Sequence, residues 1–400
     1  MIDNKTLLEI ANEIGTESFV FDADEVRQRA KEIKAIMNEG LTGGKKINLC
    51  FSIKANPFLI PVLIDTVDYL EVCSPGELSI CIADKVPGEK IIYSGVHKDE
   101  WDILEAIKYG AAILTAESVR HYEMIKEAAK TSPKSVSVIL RLSARSQFGM
   151  SKEDIESILT DAAAGDDNVE IVGIHYFVGT QREKLKHQRK EIEMLKEFVT
   201  ELREKFNMPL EWMEYGPGLY FPYFEDEDRE DTLRPMKELA EDLRTMTSWS
   251  SLTVEMGRFL ASSCGYYLTK VYDIKTSFDN NWCILGGGIN HVNYLGSMMG
   301  LKIPVIKFLS SEQRGRGDDL DMASYTLCGS LCTTNDVLVR DIKTDKPLIG
   351  DVLAFTNIGA YSVTEGINLF LSRTMPKIAI YCCGKTEVVR DRIESWKLNN

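Results

Sequence analysis

The amino-acid sequence predicts an α/β fold: a parallel (β/α)8 barrel followed by a second, mainly β domain. Eight short β-rich runs alternate with helix-period segments over the first part of the chain, and after about residue 262 the pattern changes to strands joined by polar turns. A length of 400 residues at 44% hydrophobic is enough for one barrel of about 250 residues and a remainder.

The first helical pattern covers residues 24–38. The β-rich runs are Ile47–Ile53, Tyr69–Cys73, Lys90–Ser94, Ala112–Thr115, Ser135–Leu142, Val169–Val178, Leu210–Tyr215 and Ser251–Glu255. Between them, apolar residues recur at helical spacing in Glu100–Tyr109, Val119–Lys130, Lys152–Ala163, Leu185–Phe206 and Pro235–Thr247. Eight strands suit a closed parallel barrel, whereas an open doubly wound sheet more often stops at about six. The barrel is therefore expected over 24–261, and residues 1–23 with 262–400 are assigned to the β domain. In the latter, Gly265–Ile274, Asn281–Leu285 after the turn Phe278-Asp279-Asn280, Asp351–Phe355 and Ile378–Tyr381 read as strands. Glu312–Asp319, with Arg314 and Arg316, reads as a charged, glycine-punctuated mobile loop.

A net charge of −14 argues against nucleic-acid or anionic-membrane partners. No apolar run reaches the roughly 18 residues a membrane helix needs, and the N-terminus lacks a signal-type apolar core, so a cytoplasmic location is expected. Nine cysteines, most within apolar stretches, suggest reduced thiols. With no C-x-x-C pair, and no ligands beside Cys328 and Cys332, no metal is expected.

Lys54 is the leading functional candidate. It follows the first apolar run, in FSIKANP, and so projects from a strand end into a strand-to-helix loop. Barrel active sites are built from such loops, and a partly desolvated lysine is a natural Schiff-base nucleophile.

The strand ends read in order FSIKANP, CSPGEL, YSGVHK, LRLSARSQFGM, GIHYFVGTQ, YGPGLYFPY and EMGR, and the β domain adds LCGSLCTTNDVL and GAYSVT. Over nearly its whole length the chain thus resembles the fold-type III pyridoxal-phosphate decarboxylases, the family of diaminopimelate and eukaryotic ornithine decarboxylases. The resemblance implies an alanine racemase-like barrel and β domain, pyridoxal 5'-phosphate as cofactor, and a homodimer in which the β domain completes the partner's active site.

It further implies the roles of individual residues. Lys54 would bind the cofactor, and Glu255 would keep its pyridine nitrogen protonated. Gly216 and Gly218, with Arg258, Thr180 and Tyr361, would hold the phosphate, although Pro217 replaces a third glycine and removes one amide donor. Arg141 would lie near the cofactor, and Cys332 would protonate the product from the partner subunit. His97, in SGVHK, is either a cofactor neighbour or a plain loop residue.

The chain also departs from the better-known members. Phe177 stands where a histidine stacks on the cofactor, with His175 two residues earlier on the same strand face. A phenyl ring stacks but carries no proton. The substrate positions are Asn290, His291, Thr333 and Asp336; Thr333 replaces a glutamate, and the stretch Gly288–Tyr294 lacks the family's arginine.

GGGINH, SLCTTND and LFLSRTMP look like a biosynthetic branch that includes the butirosin-pathway enzyme acting on a glutamyl group tethered to an acyl carrier protein. The expected substrate is accordingly an unusual or carrier-tethered amino acid, with a free diamino acid (diaminopimelate, or one like ornithine or lysine) as the alternative. A racemase on the same barrel is more distant, and a regulatory homologue would lack Lys54 or Cys332. Arg182, Lys184, Lys186, Arg189 and Lys190, together with Arg314 and Arg316, are candidates for docking an acidic carrier.

Overall fold

The computed structural model describes residues 1–165, 168–296, 300–310 and 322–400. The loop carrying Arg314 and Arg316 lies outside the described residues. The chain divides into two compact units, one of Arg29–Phe221 and Asp231–Leu260, the other of Met1–Gln28, Pro222–Glu230 and Ala261–Asn400.

The strand β1 (Ser18–Asp22) precedes eight parallel strands that close into a barrel: β2 (Asn48–Ser52), β3 (Tyr69–Val72), β4 (Ile91–Tyr93), β5 (Ile113–Ala116), β6 (Val136–Arg141), β7 (Val169–Phe177), β8 (Trp212–Gly216) and β9 (Ser251–Met256). The last pairs with the first, Asn48 beside Thr253 and Cys50 beside Glu255. Cys50, Ile92, Ile113 and Ile139 pack together as an apolar cluster. Polar side chains terminate the loops that follow the strands. Ser74, Asp99, Ser118 and Ser151 each accept a backbone N–H in the first turn of the next helix, and Asp99 and Ser151 do so within capping boxes. The helix Pro75–Ala83 escapes helical periodicity because apolar residues occur on several sides of it: Leu78 and Cys81 are buried while Ile80 and Ile82 are exposed.

The second unit is a mainly β structure. Its strands are β10 (Gly265–Ser277), β11 (Asn280–Leu285), β12 (Ile306–Phe308), β13 (Ala323–Cys328), β14 (Val337–Thr344), β15 (Val352–Thr356), β16 (Lys377–Cys382) and β17 (Lys385–Arg390). The sheet runs β14-β13-β11-β10-β1-β16-β17, and β15 pairs with β10 and β12. β1 is antiparallel to β10 and parallel to β16, which makes the N-terminal segment an interior strand of this sheet. The amphipathic helix Asn4–Ile14, capped by Asp3, buries Leu7, Leu8, Ile10, Ala11 and Ile14 against Val20, Leu268 and Ala354. The turn at Phe278 and Asp279 has positive φ at both residues, as a tight hairpin requires.

Candidate active site

The last residue of β2, Ser52, runs into a short turn, Ile53–Ala55, that carries Lys54, and the Asn56 side chain caps the next turn by accepting the Phe58 N–H. This fixes the lysine at the end of the barrel strand. Its Nζ lies 2.6 Å from Glu71 Oε2, 3.3 Å from Glu255 Oε1 and 3.6 Å from Cys73 Sγ. Ser52 Oγ donates to the same Glu255 oxygen at 2.7 Å. On the other side His175 Nε2 is 3.4 Å from Glu255 Oε2. Parallel register explains the grouping: Ser52 pairs with Glu71, Cys50 with Glu255, and His175 with both Arg141 and Glu214.

Three carboxyls and one ammonium thus share the barrel interior, and their environments separate them. Burial alone would push the Glu255 carboxyl up, but Lys54, His175 and a hydrogen bond from Glu71 hold it well below the usual carboxylate range. Glu71 is raised, first by burial and then by the Glu255 charge. Glu214 is raised well above its ordinary value by burial and by the charges of Glu71 and Glu255, and neither of its carboxyl oxygens has a hydrogen-bond partner. The three carboxyls are thus driven apart, Glu255 toward its ionised form and Glu71 and Glu214 toward their protonated forms.

The loop after β8 is shaped by its glycines. A Cβ on Gly216 would lie 2.5 Å from the Phe177 ring; Gly218 has φ +61, and a Cβ there would fall 1.7 Å from the Gly179 carbonyl oxygen. The Arg182 N–H donates to the Gly218 carbonyl at 2.9 Å, and Gln188 Nε2 donates to the Pro217 carbonyl at 3.1 Å. Arg258, one residue past Gly257 at the end of β9, is buried, while Thr180 is exposed beyond β7. Arg141, also buried, pairs with Glu117 at 2.8 Å and lies over the Phe148 ring. His97 is exposed in the loop after β4.

The remaining candidates belong to the β-rich unit. Cys332 is exposed on the loop between β13 and β14, beside a cavity of about 610 Å³ also lined by Asn290, His291, Leu331, Arg373 and Arg392. His291 Nδ1 bonds the Tyr267 hydroxyl at 2.7 Å, and its Nε2 bonds Asn290 Nδ2 at 3.1 Å. Burial pushes His291 down to about 4, which leaves this chain of groups uncharged at neutral pH. Thr333, half-buried, accepts the Asn335 N–H. Asp336 turns both oxygens to backbone N–H groups, Ile289 at 2.8 Å and Leu331 at 2.7 Å, so its carboxylate builds the loop that carries Cys332. Arg373 Nη2 holds the Ser330 carbonyl of that loop at 2.7 Å. Tyr361 adopts φ +68 at the start of a short helical turn.

Sequence reading missed Ser52, Glu71, Glu117 and Glu214. For two of them a signal existed: a glutamate in the middle of an apolar barrel strand, as in Leu70-Glu71-Val72 and Met213-Glu214-Tyr215, must turn inward and find a partner or a proton.

A family model described as the pyridoxal-binding domain of pyridoxal-dependent decarboxylases matches residues 23–262. The chain is 25% identical to a diaminopimelate decarboxylase of Methanocaldococcus jannaschii, with 98% of this chain and 92% of that protein covered. It is 24% identical to the L-glutamyl–BtrI acyl-carrier protein decarboxylase of Niallia circulans, with 97% and 94% covered. The crystal structure of the M. jannaschii enzyme in complex with L-lysine superposes with a TM-score of 0.85 at 24% identity, over 98% of this chain and 93% of that one, and so shares the fold.

Proposed function

We propose, from the premise that the chain belongs to the pyridoxal-dependent decarboxylase family and is a pyridoxal-phosphate-dependent amino-acid decarboxylase, that its substrate is an unusual amino acid or an aminoacyl group presented by an acyl carrier protein. The barrel residues fit the cofactor. Lys54 offers the amine, the ionised Glu255 a partner for the ring nitrogen, and Phe177 and His175 flanking rings. The loop after β8, which packs so closely on the Gly179 carbonyl that Gly218 has no room for a Cβ, would hold the phosphate together with Arg258 and Thr180. Pyridoxal phosphate, when bound, supplies the electron sink for the pair left as CO2 departs.

The chain's own groups do the rest. Glu71 and Ser52 orient Glu255, which keeps its charge in a buried setting. Glu214 and Glu71 are both pushed toward their protonated forms, which lessens the negative charge that the barrel interior sets against the Lys54 ammonium. Cys332 would supply the proton that replaces CO2 on the α-carbon, and we assign it to the site of the partner subunit in a homodimer; Tyr361 would help to hold the phosphate, as the resemblance implies.

The substrate reading is carried by the uncharged Tyr267–His291–Asn290 chain and by Thr333 next to Cys332. The arginines of the same cavity are engaged elsewhere, Arg373 with the Ser330 carbonyl and Arg392 with the Thr16 carbonyl. Among the described residues, neither arginine of this cavity is left to clamp a free distal carboxylate from both sides. Losing such a clamp costs about 2–5 kcal/mol, or roughly 30- to 4000-fold in kcat/KM.

For a carrier, Lys184, Lys186 and Lys190 are the exposed cations proposed after β7, since Arg182 is paired with Glu191 and Arg189, also exposed, is paired with Asp242. The test compares kcat/KM for diaminopimelate with that for a glutamyl-loaded carrier protein. Turnover of the loaded carrier is expected, with KM raised several-fold by Lys184→Glu with Lys186→Glu in a salt-dependent manner. Diaminopimelate turnover above about 10⁴ M⁻¹s⁻¹ would overturn the reading in favour of a free diamino acid.

A further inference from the structure

Nine cysteines run through the chain, and of these only Cys332 and Cys383 are exposed. Cys383 adjoins Cys382 where β16 turns into β17. Neighbouring strand residues point to opposite faces, so adjacent thiols should diverge. Here they converge. Cys383 has φ +50 and Gly384 φ +78, a two-residue left-handed turn closed by the pairing of Cys382 with Lys385, and the two Sγ atoms lie 3.6 Å apart.

Asp24, in the first turn of the helix Ala23–Asn38, faces both thiols. Its Oδ1 is 3.7 Å from Cys382 Sγ and 3.8 Å from Cys383 Sγ, while Oδ2 accepts the Cys383 N–H at 2.7 Å. Arg27, one turn along the helix, places Nη1 3.2 Å from Cys382 Sγ and 3.8 Å from Asp24 Oδ1. Among the described residues no other trio of His, Cys, Asp or Glu ligand atoms closes to such spacing.

These separations have a chemical meaning. A tetrahedral cation with metal–sulfur bonds of about 2.3 Å and a metal–oxygen bond of about 2.0 Å sets its ligands about 3.8 Å apart for S···S and about 3.5 Å for S···O. The Asp24–Cys382–Cys383 triangle already has these edges to within about 0.3 Å, so no backbone movement is needed to fill it. We propose that Asp24, Cys382 and Cys383 form a binding site for a thiophilic divalent cation of the zinc class, with the fourth position left to water.

On binding, each sulfur forms a bond to the metal and its thiol proton leaves to solvent. Two thiolates and one carboxylate bring three negative charges against the two of the cation, and the Arg27 guanidinium balances the remaining one. Its N–H to Cys382 Sγ is the kind of outer contact that orients a metal thiolate. The site is independent of the decarboxylase chemistry. It runs against the expectation of no metal, which rested on the absence of a C-x-x-C pair.

The test uses the full-length enzyme, reduced and freed of metal with a chelator, then titrated with Cd²⁺ while the thiolate-to-metal charge-transfer absorption is followed, and with Zn²⁺ in competition with a chromogenic chelator. One tight equivalent is expected. Cys382→Ser should abolish it, as should Cys383→Asn, which suits the left-handed turn and so preserves the hairpin. Arg27→Gln should weaken binding by about 10-fold. Absence of a tight equivalent in the wild type, or an unchanged equivalent in Cys383→Asn with the fold verified by circular dichroism, would overturn the proposal.

Discussion

Replacing Glu214 by methionine should stabilise the protein, and by more as the pH rises. The residue is fully buried on β8, and neither carboxyl oxygen has a hydrogen-bond partner. Leaving a buried polar group unpaired costs about 1–3 kcal/mol, which a similarly sized apolar side chain removes. The second contribution is electrostatic. The folded carboxyl titrates well above its reference value of 4.5, and each unit of that rise is worth about 1.4 kcal/mol. For a raised carboxyl, the associated stability is full below the unfolded value and is lost as pH climbs through the folded one. The gain of Glu214→Met over wild type should therefore be about 1–3 kcal/mol near pH 4.5 and grow toward pH 8.

Thermal melts of both proteins across that range would show it. A domain of this size shifts by about 2–4 °C per kcal/mol, so a rise of roughly 2–12 °C is expected at the acid end. Glu214→Gln separates the two contributions: it deletes the titration and leaves an unpaired amide, so it should flatten the pH dependence with little gain at acid pH. Glu71 is also raised and remains in both variants, so some slope should persist. A Glu214→Met protein that melts below wild type at pH 8, or whose difference from wild type does not vary with pH, would refute the assignment of a neutral buried acid.

Gly218→Ala should weaken cofactor affinity, because its Cβ would meet the Gly179 carbonyl oxygen at 1.7 Å in a left-handed conformation. Left-handed strain of about 1–2 kcal/mol plus overpacking of about 1–3 kcal/mol predicts at least a 30-fold rise in Kd by cofactor titration, and an unchanged Kd would discount the loop. Mixing inactive Lys54→Ala and Cys332→Ala proteins should restore about a quarter of the sites if chains reassort at random in a homodimer. No recovery, with subunit exchange shown separately, would count against a site shared between subunits.

The barrel was legible because its strands are short apolar runs punctuated by turn residues, and all eight lie within a few residues of where those runs place them. Helices with one apolar stripe, such as Glu100–Tyr109, were equally plain. Pro75–Ala83 was not, since its apolar residues point in several directions. In the β-rich unit β1, β12, β13, β14 and β17 escaped notice. β14 alternates buried and exposed positions irregularly, and β17 is largely exposed, so neither presents a clean period of two.

Within the site, Lys54 and Glu255 stood out because each ends a strand beside a recognisable element. Glu71 and Glu214 are set by register: only when β3 and β8 take their places in the closed barrel do those carboxyls face Lys54, Glu255 and His175. Asp24 beside Cys382 and Cys383 is likewise tertiary, since more than three hundred residues separate the two ends of the cluster.

The central claim is that the Lys54 amine, held between Glu71 and Glu255, is the group that binds the cofactor. Reducing the pyridoxal-phosphate-loaded enzyme with borohydride, digesting it and locating the pyridoxyl label by mass spectrometry tests this directly. The label is expected on Lys54 at about one per chain, and Lys54→Ala should carry none while remaining folded. A label on another lysine, or an undiminished label in Lys54→Ala, would contradict the account.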